Sequence, residues 1–402
     1  MDELFEFQEE VLTAVGDRFY RYLFEKIDWD QRLFGILGLR GTGKTTMLLQ
    51  HLKFKVGETN RNQSLYVTAD HTWFYDHKLT DLASQFVKYG GKRLLIDEIH
   101  KYPNWSRELK NIYDRHSQLQ VIFTASSALD ILKGEADLSR RAITYELTGL
   151  SFREYINIES SSKIPPVSLD ELINQSSRDQ LNITDDVRPL PFFKEYLKRG
   201  YFPFSLMEKE GIFLQKLNQI INTVLEVDLQ LIEQYSAANT LKIKKLLGVV
   251  SESAPFEPNI TKLASRLGMG RDTIKTYLAN LDAARLLNLM TRHSKGVASL
   301  QKPDKIYLEN TNFSHALKNN PNVGTIRETF FVNQLRNAGH RVELATSGSG
   351  DFIVDGKVTF EIGGLSKDSS QISETDNAWL VIDELEKPYL NRVPLWYFGC
   401  LY

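Results

Sequence analysis

Gly38-Leu39-Arg40-Gly41-Thr42-Gly43-Lys44-Thr45 is the stretch whose reading decides the fold. Four free residues separate its first glycine from Gly-Lys-Thr, which is the pattern of a phosphate-binding loop. Glycines let the backbone wrap a phosphate with its N–H groups, the lysine reaches the β and γ oxygens, and the hydroxyl that follows ligates Mg2+. On this reading Gly38, Arg40, Gly41, Thr42, Gly43, Lys44, Thr45 and Thr46 bind ATP, Lys44 also acts in catalysis, and Thr45 holds the metal. The flanks agree with the pattern. Residues 33–37 predict a short buried strand, and residues 46–54 predict a helix with apolar Met47, Leu48 and Leu52. A helix that begins after Gly43 aims its positive end at the phosphates.

The second half of the same chemistry follows at residues 92–98, Lys-Arg-Leu-Leu-Ile-Asp-Glu, an apolar strand ending in two carboxylates. An acid at the C-terminal end of a strand holds the metal and its waters, while the next acid orients a water for in-line attack. Asp97 is therefore the expected metal residue and Glu98 the expected base. A further strand over residues 120–124 runs into Ala125-Ser126-Ser127, so that Ser126 or Ser127 senses the γ-phosphate or simply caps a helix. Arg140 and Arg141 come shortly after, and Arg141 is the candidate arginine finger acting on the nucleotide of a neighbouring copy in a homo-oligomer, against the commoner role of a surface ion pair.

Composition bounds the rest. A chain of 402 residues suits two or three domains, and 42% hydrophobic with 25% charged residues is ordinary for a globular protein. A net charge of −2 argues against wholesale polyanion binding. The single cysteine, Cys400, excludes an internal disulfide framework and a CxxC metal site and fits a cytoplasmic setting. The N-terminus is acidic without a basic-then-apolar leader, and no apolar run is long enough to span a membrane.

The chain resembles the AAA ATPases of bacteria and archaea that carry a C-terminal domain of unknown function. The resemblance rests on the Gly38 to Thr45 loop, on residues 96–105 (Ile-Asp-Glu-Ile-His-Lys-Tyr-Pro-Asn-Trp), on residues 123–127 (Phe-Thr-Ala-Ser-Ser) and on residues 150–155 (Leu-Ser-Phe-Arg-Glu-Tyr). Residues 196–203 and 223–228 are similar to the family's lid segments, and Ala125 stands where the family usually has glycine. The resemblance covers nearly the whole chain. It implies an α/β fold: an AAA-type P-loop NTPase with a parallel sheet, a helical lid, a winged helix-turn-helix and a small α/β nuclease-like C-terminal domain. The expected divisions are 1–150 for the ATPase domain, 151–240 for the lid, 241–309 for the winged helix and 310–402 for a degenerate nuclease-like domain.

Within the lid, residues 160–190 are rich in turn-forming and polar residues, and an apolar stripe of Leu214, Leu217, Ile221, Leu225 and Leu229 marks a helix core. From Asn259 the pattern is helix, Gly268 turn, helix. Between Asn259 and Lys295, seven Lys or Arg face two Asp, an excess of five positive charges in an acidic chain. Arg271, Thr273 and Lys275 on the second helix would enter a DNA groove while Lys262 and Arg266 contact phosphates, although winged helices also dock proteins. In the tail, Glu328, Asp351 and Glu361 match nuclease-type acids, but Gly363 occupies the position of the lysine in Glu-x-Lys, and the offset of Lys367 is expected to keep it out of place. The combined expectation is an ATP-hydrolysing machine that acts on DNA; the alternative is a nucleotide-controlled switch that binds a partner protein.

Overall fold

The computed structural model describes residues 1–125, 138, 140–174, 187–229, 236–293, 302–373 and 375–402. They fall into two compact units that divide between Thr148 and Gly149.

The first unit is built on a parallel five-stranded sheet. Its strands are β1 (Leu33–Leu37), β2 (Ser64–Thr68), β3 (Arg93–Asp97), β4 (Gln120–Ala125) and β5 (Ile143–Glu146), in the spatial order β2-β3-β4-β1-β5. Every residue of β1 is buried, as a strand covered on both faces requires. Side chains alternate between two cores. Leu33 and Leu37 join Leu65, Val67, Leu94, Ile96, Val121 and Phe123 on one face, while Phe34 and Ile36 join Tyr66, Leu95 and Ile122 on the other. Helices Leu79–Lys88 and Trp105–Arg115 cover the first face, and helix Lys44–Gln50 covers the second with Met47, Leu48 and Leu49. All five strands pair in parallel, so the C-terminal ends of β1, β3 and β4 share one edge. β4 lies between the strand that feeds the phosphate loop and the strand that ends in the two acids.

The predicted strands over 33–37 and 64–68 are observed with those limits, and the helix expected over 46–54 is an α-helix Lys44–Gln50 continued by a wide π turn, His51–Lys55. β5 is an edge strand that the sequence reading passed over.

The second unit opens with the helix Phe152–Ser160, whose Ser151 and Glu154 form a reciprocal capping box. Helices Pro189–Glu195 and Glu210–Thr223 follow, each continued by a π turn, Tyr196–Gly200 and Val224–Asp228. Next come three helices, Ala237–Ser253, Ile260–Leu267 and Arg271–Ala283, and a two-stranded antiparallel sheet of β6 (Leu287–Met290) and β7 (Lys305–Leu308). The tail packs helix Val323–Asn337 on a mixed sheet of β8 (Val342–Leu344), β9 (Phe352–Val354), β10 (Val358–Gly363), β11 (Ala378–Ile382) and β12 (Arg392–Pro394).

These parts share one aromatic core. Phe152 meets Phe193 at 5.2 Å, Tyr196 at 5.6 Å and Trp396 at 6.1 Å, and Phe193 meets Phe330 at 4.8 Å. Ser151 Oγ donates to the Tyr402 carbonyl at 2.9 Å, which ties the start of the unit to the chain end. Beyond β12 the chain forms the buried 3-10 helix Leu395–Cys400, and burial pushes the Cys400 thiol up to about 12. Truncating Phe152 leaves a cavity at the centre of this core. The expected outcome for Phe152→Ala is a loss of about 3–5 kcal/mol from the second unit, read by urea denaturation.

Candidate active site

The loop between β1 and helix Lys44–Gln50 is shaped by two glycines. Gly43 takes φ 95° at the helix N-cap, and a Cβ on Gly38 would stand 2.2 Å from the Leu147 carbonyl oxygen, so neither position accepts a side chain at ordinary cost. The cradle is braced from below. Arg21, buried, donates Nη1 to the Thr42 carbonyl and Nη2 to the Thr148 carbonyl at 2.8 Å. Lys44 Nζ donates to the carbonyls of Gly38 at 2.8 Å and Leu39 at 3.0 Å, which holds its ammonium over the loop.

Three hydroxyls converge on Asp97. Thr45 Oγ1 donates to Oδ2 at 2.7 Å, Tyr66 OH to Oδ2 at 3.0 Å, and Thr124 Oγ1 to Oδ1. Asp97 is 5% exposed, and hydrogen bonds of this kind are what make a buried carboxylate affordable. Burial, followed by the Asp97 charge, pushes the Tyr66 hydroxyl well above its ordinary range, so Tyr66 stays a donor. The strand order explains the convergence: β4 carries Thr124 between β1 and β3, and β2 brings Tyr66 from the far side of β3. A threonine hydroxyl and a carboxylate 2.7 Å apart, below a cradle that a Cβ would fill, suit a Mg2+ nucleotide.

Glu98 leaves β3 with φ 50° and ψ 44°, a left-handed conformation that costs a non-glycine residue on the order of 1–3 kcal/mol. Its backbone N–H is held by Thr124 Oγ1 at 2.9 Å. Its Oε1 pairs with Arg40 Nη1 at 3.2 Å and its Oε2 with Lys101 Nζ. Burial alone would raise the carboxyl, but Lys101 and Arg40 outweigh it and hold Glu98 below the usual carboxylate range. Lys101 also pairs with Asp70, just beyond β2.

Of the other expected residues, Ser126 and Ser127 lie outside the described residues. Arg141 forks onto Asp114 of its own chain, Nε to Oδ1 at 2.9 Å and Nη2 to Oδ2 at 3.1 Å. Thr46 is exposed on the first turn of helix Lys44–Gln50. Thr124, Tyr66, Lys101 and Asp70 were not singled out by the sequence reading. The hydroxyls sit inside apolar strands and look like ordinary strand residues, and only the run that contains Lys101 carried a signal.

In the second unit, Gly268 ends helix Ile260–Leu267 at φ 62°, and helix Arg271–Ala283 begins three residues later. Lys262, Arg266, Arg271 and Lys275 are exposed on these two helices and Thr273 is half-buried, while Lys295 lies outside the described residues. In the tail, the expectation that Lys367 stands away from Glu361 is not met. β10 ends at Gly363, the chain turns back with Lys367 N–H donating to the Gly364 carbonyl at 3.0 Å, and Lys367 Nζ pairs with Glu361 Oε1. The Lys367 stem covers the position where a Gly363 side chain would lie, with its Cβ 2.5 Å from that site. Glu361 is pushed up by burial and, after the opposing pull of Lys367, by Asp351 and Glu328. Among the described residues no group of three His, Cys, Asp or Glu is placed to hold a metal ion, and no helix is long and apolar enough to cross a membrane.

Residues 30–156 match the family model of an AAA domain, and residues 191–323 match that of a domain of unknown function (DUF8612). An uncharacterized protein of Methanocaldococcus jannaschii is 27% identical over 309 residues, 71% of this chain and 63% of its own length, so the chain spans less than two thirds of that curated relative. Among solved structures, the Walker-type ATPase PABY2304 of Pyrococcus abyssi is 11% identical with a TM-score of 0.38, covering 73% of this chain and 93% of that one. AMPPCP-bound DnaA of Aquifex aeolicus is 15% identical with a TM-score of 0.24, covering 70% and 88%. With its phosphate loop, acid-tipped third strand and matched family model, the stretch 30–156 is similar to an AAA domain, and the stretch 191–323 is similar to a domain of unknown function.

Proposed function

We propose that the chain hydrolyses ATP at the Gly38 to Thr45 loop and that its second unit delivers the resulting conformational change to DNA. The observation that carries the first half is the approach of Thr45 Oγ1 to Asp97, which joins the phosphate loop to the acid strand. Bound Mg2+ would be held by Thr45 and Asp97 and would neutralise charge on the β and γ phosphates. Lys44 would bind the same phosphate oxygens once it exchanges its carbonyl partners for them. Glu98 orients a water in line with the γ-phosphorus and takes its proton as the bond from phosphorus to the bridging oxygen breaks, leaving ADP and phosphate. In an assembly of copies, Arg141 would act in trans only after its fork to Asp114 opens.

Support for the DNA half is the order of three helices and a two-stranded antiparallel sheet, the pattern of a winged helix, with Arg271 and Lys275 exposed on its third helix. This reading includes a cytoplasmic setting. A nucleotide-controlled switch that binds a protein instead would show slow turnover that DNA does not alter.

Two measurements check the proposal. Lys44→Ala should weaken ATP binding by about 1.5–3 kcal/mol, the value of hydrogen bonds to a charged group, whereas Glu98→Gln should bind ATP normally yet lose a factor of about 10²–10⁴ in turnover. Wild-type turnover in Glu98→Gln would remove Glu98 from the role of base. For DNA, the full chain should bind duplex in a salt-sensitive manner, Arg271→Ala with Lys275→Ala should reduce the salt slope by about 2, and no strand should be cut when Mg2+ or Mn2+ is added without ATP. Binding that is absent, or unchanged in the double variant, contradicts DNA as the partner. Cutting that Lys367→Ala abolishes would make the tail a nuclease through its Glu361–Lys367 pair.

A further inference from the structure

Both oxygens of the Glu98 carboxylate are engaged by cations that come from different directions. Arg40 reaches Oε1 from the phosphate loop, and Lys101 reaches Oε2 from the 3-10 turn Ile99–Lys101 that follows Glu98 in the chain. That turn exists because Glu98 adopts its left-handed conformation, after which the Lys101 N–H closes onto the Glu98 carbonyl at 2.9 Å. Lys101 is then fixed from its other side. Its Nζ also meets Asp70 Oδ2, and Asp70 Oδ1 accepts from Thr68 Oγ1 at the end of β2. A line of alternating charge, Asp70–Lys101–Glu98–Arg40, thus runs along the edge of the sheet from β2 past β3 to the loop after β1.

We propose that Lys101, anchored by Asp70, is a positioning residue for Glu98: it fixes where the carboxylate of the hydrolytic base stands and thereby sets turnover without itself binding nucleotide. The inference rests on Glu98 being the base. Partly exposed ion pairs contribute little to folding, so this line of charges is poorly explained as a device for stability. It is better explained by geometry, because a base must be held within hydrogen-bond reach of the water it deprotonates. With Lys101 gone, Oε2 loses the partner that holds it, and Arg40 alone is left to place the carboxylate.

The test is the steady-state ATPase of the full chain at neutral pH, with kcat and KM measured separately, for wild type, Lys101→Met, Lys101→Arg and Asp70→Asn. Lys101→Met should lower kcat about tenfold and keep KM for ATP within about twofold. Asp70→Asn should do the same to a smaller degree, and Lys101→Arg should restore kcat. A Lys101→Met kcat equal to that of wild type overturns the inference, as does a KM that rises tenfold with kcat unchanged, which would make Lys101 a nucleotide contact. Glu98→Gln measured alongside separates the two failures. If it turns over like wild type, the assignment of the base fails; if it is inactive while Lys101→Met is normal, only the role of Lys101 fails.

Discussion

The first unit depends on a buried carboxylate being solvated by its own protein. Asp97 sits at the end of a strand whose other residues are apolar, and its two oxygens are met by hydroxyls from the phosphate loop helix, from β2 and from β4. Each such bond to a charged group contributes about 1.5–3 kcal/mol, and together they offset the cost of removing the acid from water. The constraint reaches far: three hydroxyls meet one carboxylate only if β4 is inserted between β1 and β3 and all strands run the same way. The strand order that closes the hydrophobic faces is therefore the same order that builds the site.

Glu98, one residue further on, is treated in the opposite manner. Where Asp97 receives neutral donors, Glu98 receives two cations and a strained backbone. Adjacent acids in unlike surroundings suit unlike tasks, one as a fixed ligand and the other as a base whose basicity is restrained by its partners. In the second unit the organising contact is of another kind. Ser151, Phe152 and Arg153 join the first helix of that unit to the last residues of the chain, through the Tyr402 carbonyl and the Trp396 ring.

Much of this was legible in the sequence wherever the signal was local. A loop of eight residues, an apolar strand ending in Asp-Glu, and two short helices split by a glycine are patterns that spacing alone exposes, and the structure places each of them where the pattern requires. β5 escaped because it is an exposed edge, Ile-Thr-Tyr-Glu, with no apolar run to mark it. Asp70, Lys101 and Arg40 are scattered over about 60 residues and meet only because parallel strands bring their ends together. The Lys367 position was misjudged because sequence offset was equated with distance, whereas the turn after Gly363 folds the lysine back over its own strand.

The central claim is that Thr45, Asp97 and Glu98 together form one Mg2+-dependent hydrolytic site. It is tested most directly by phosphate release at fixed ATP as a function of free Mg2+, for wild type and Asp97→Asn. The account predicts a saturable Mg2+ dependence in the wild type and a midpoint at least about tenfold higher in Asp97→Asn, as the loss of one charged metal ligand requires. Superimposable Mg2+ curves for the two proteins would contradict it.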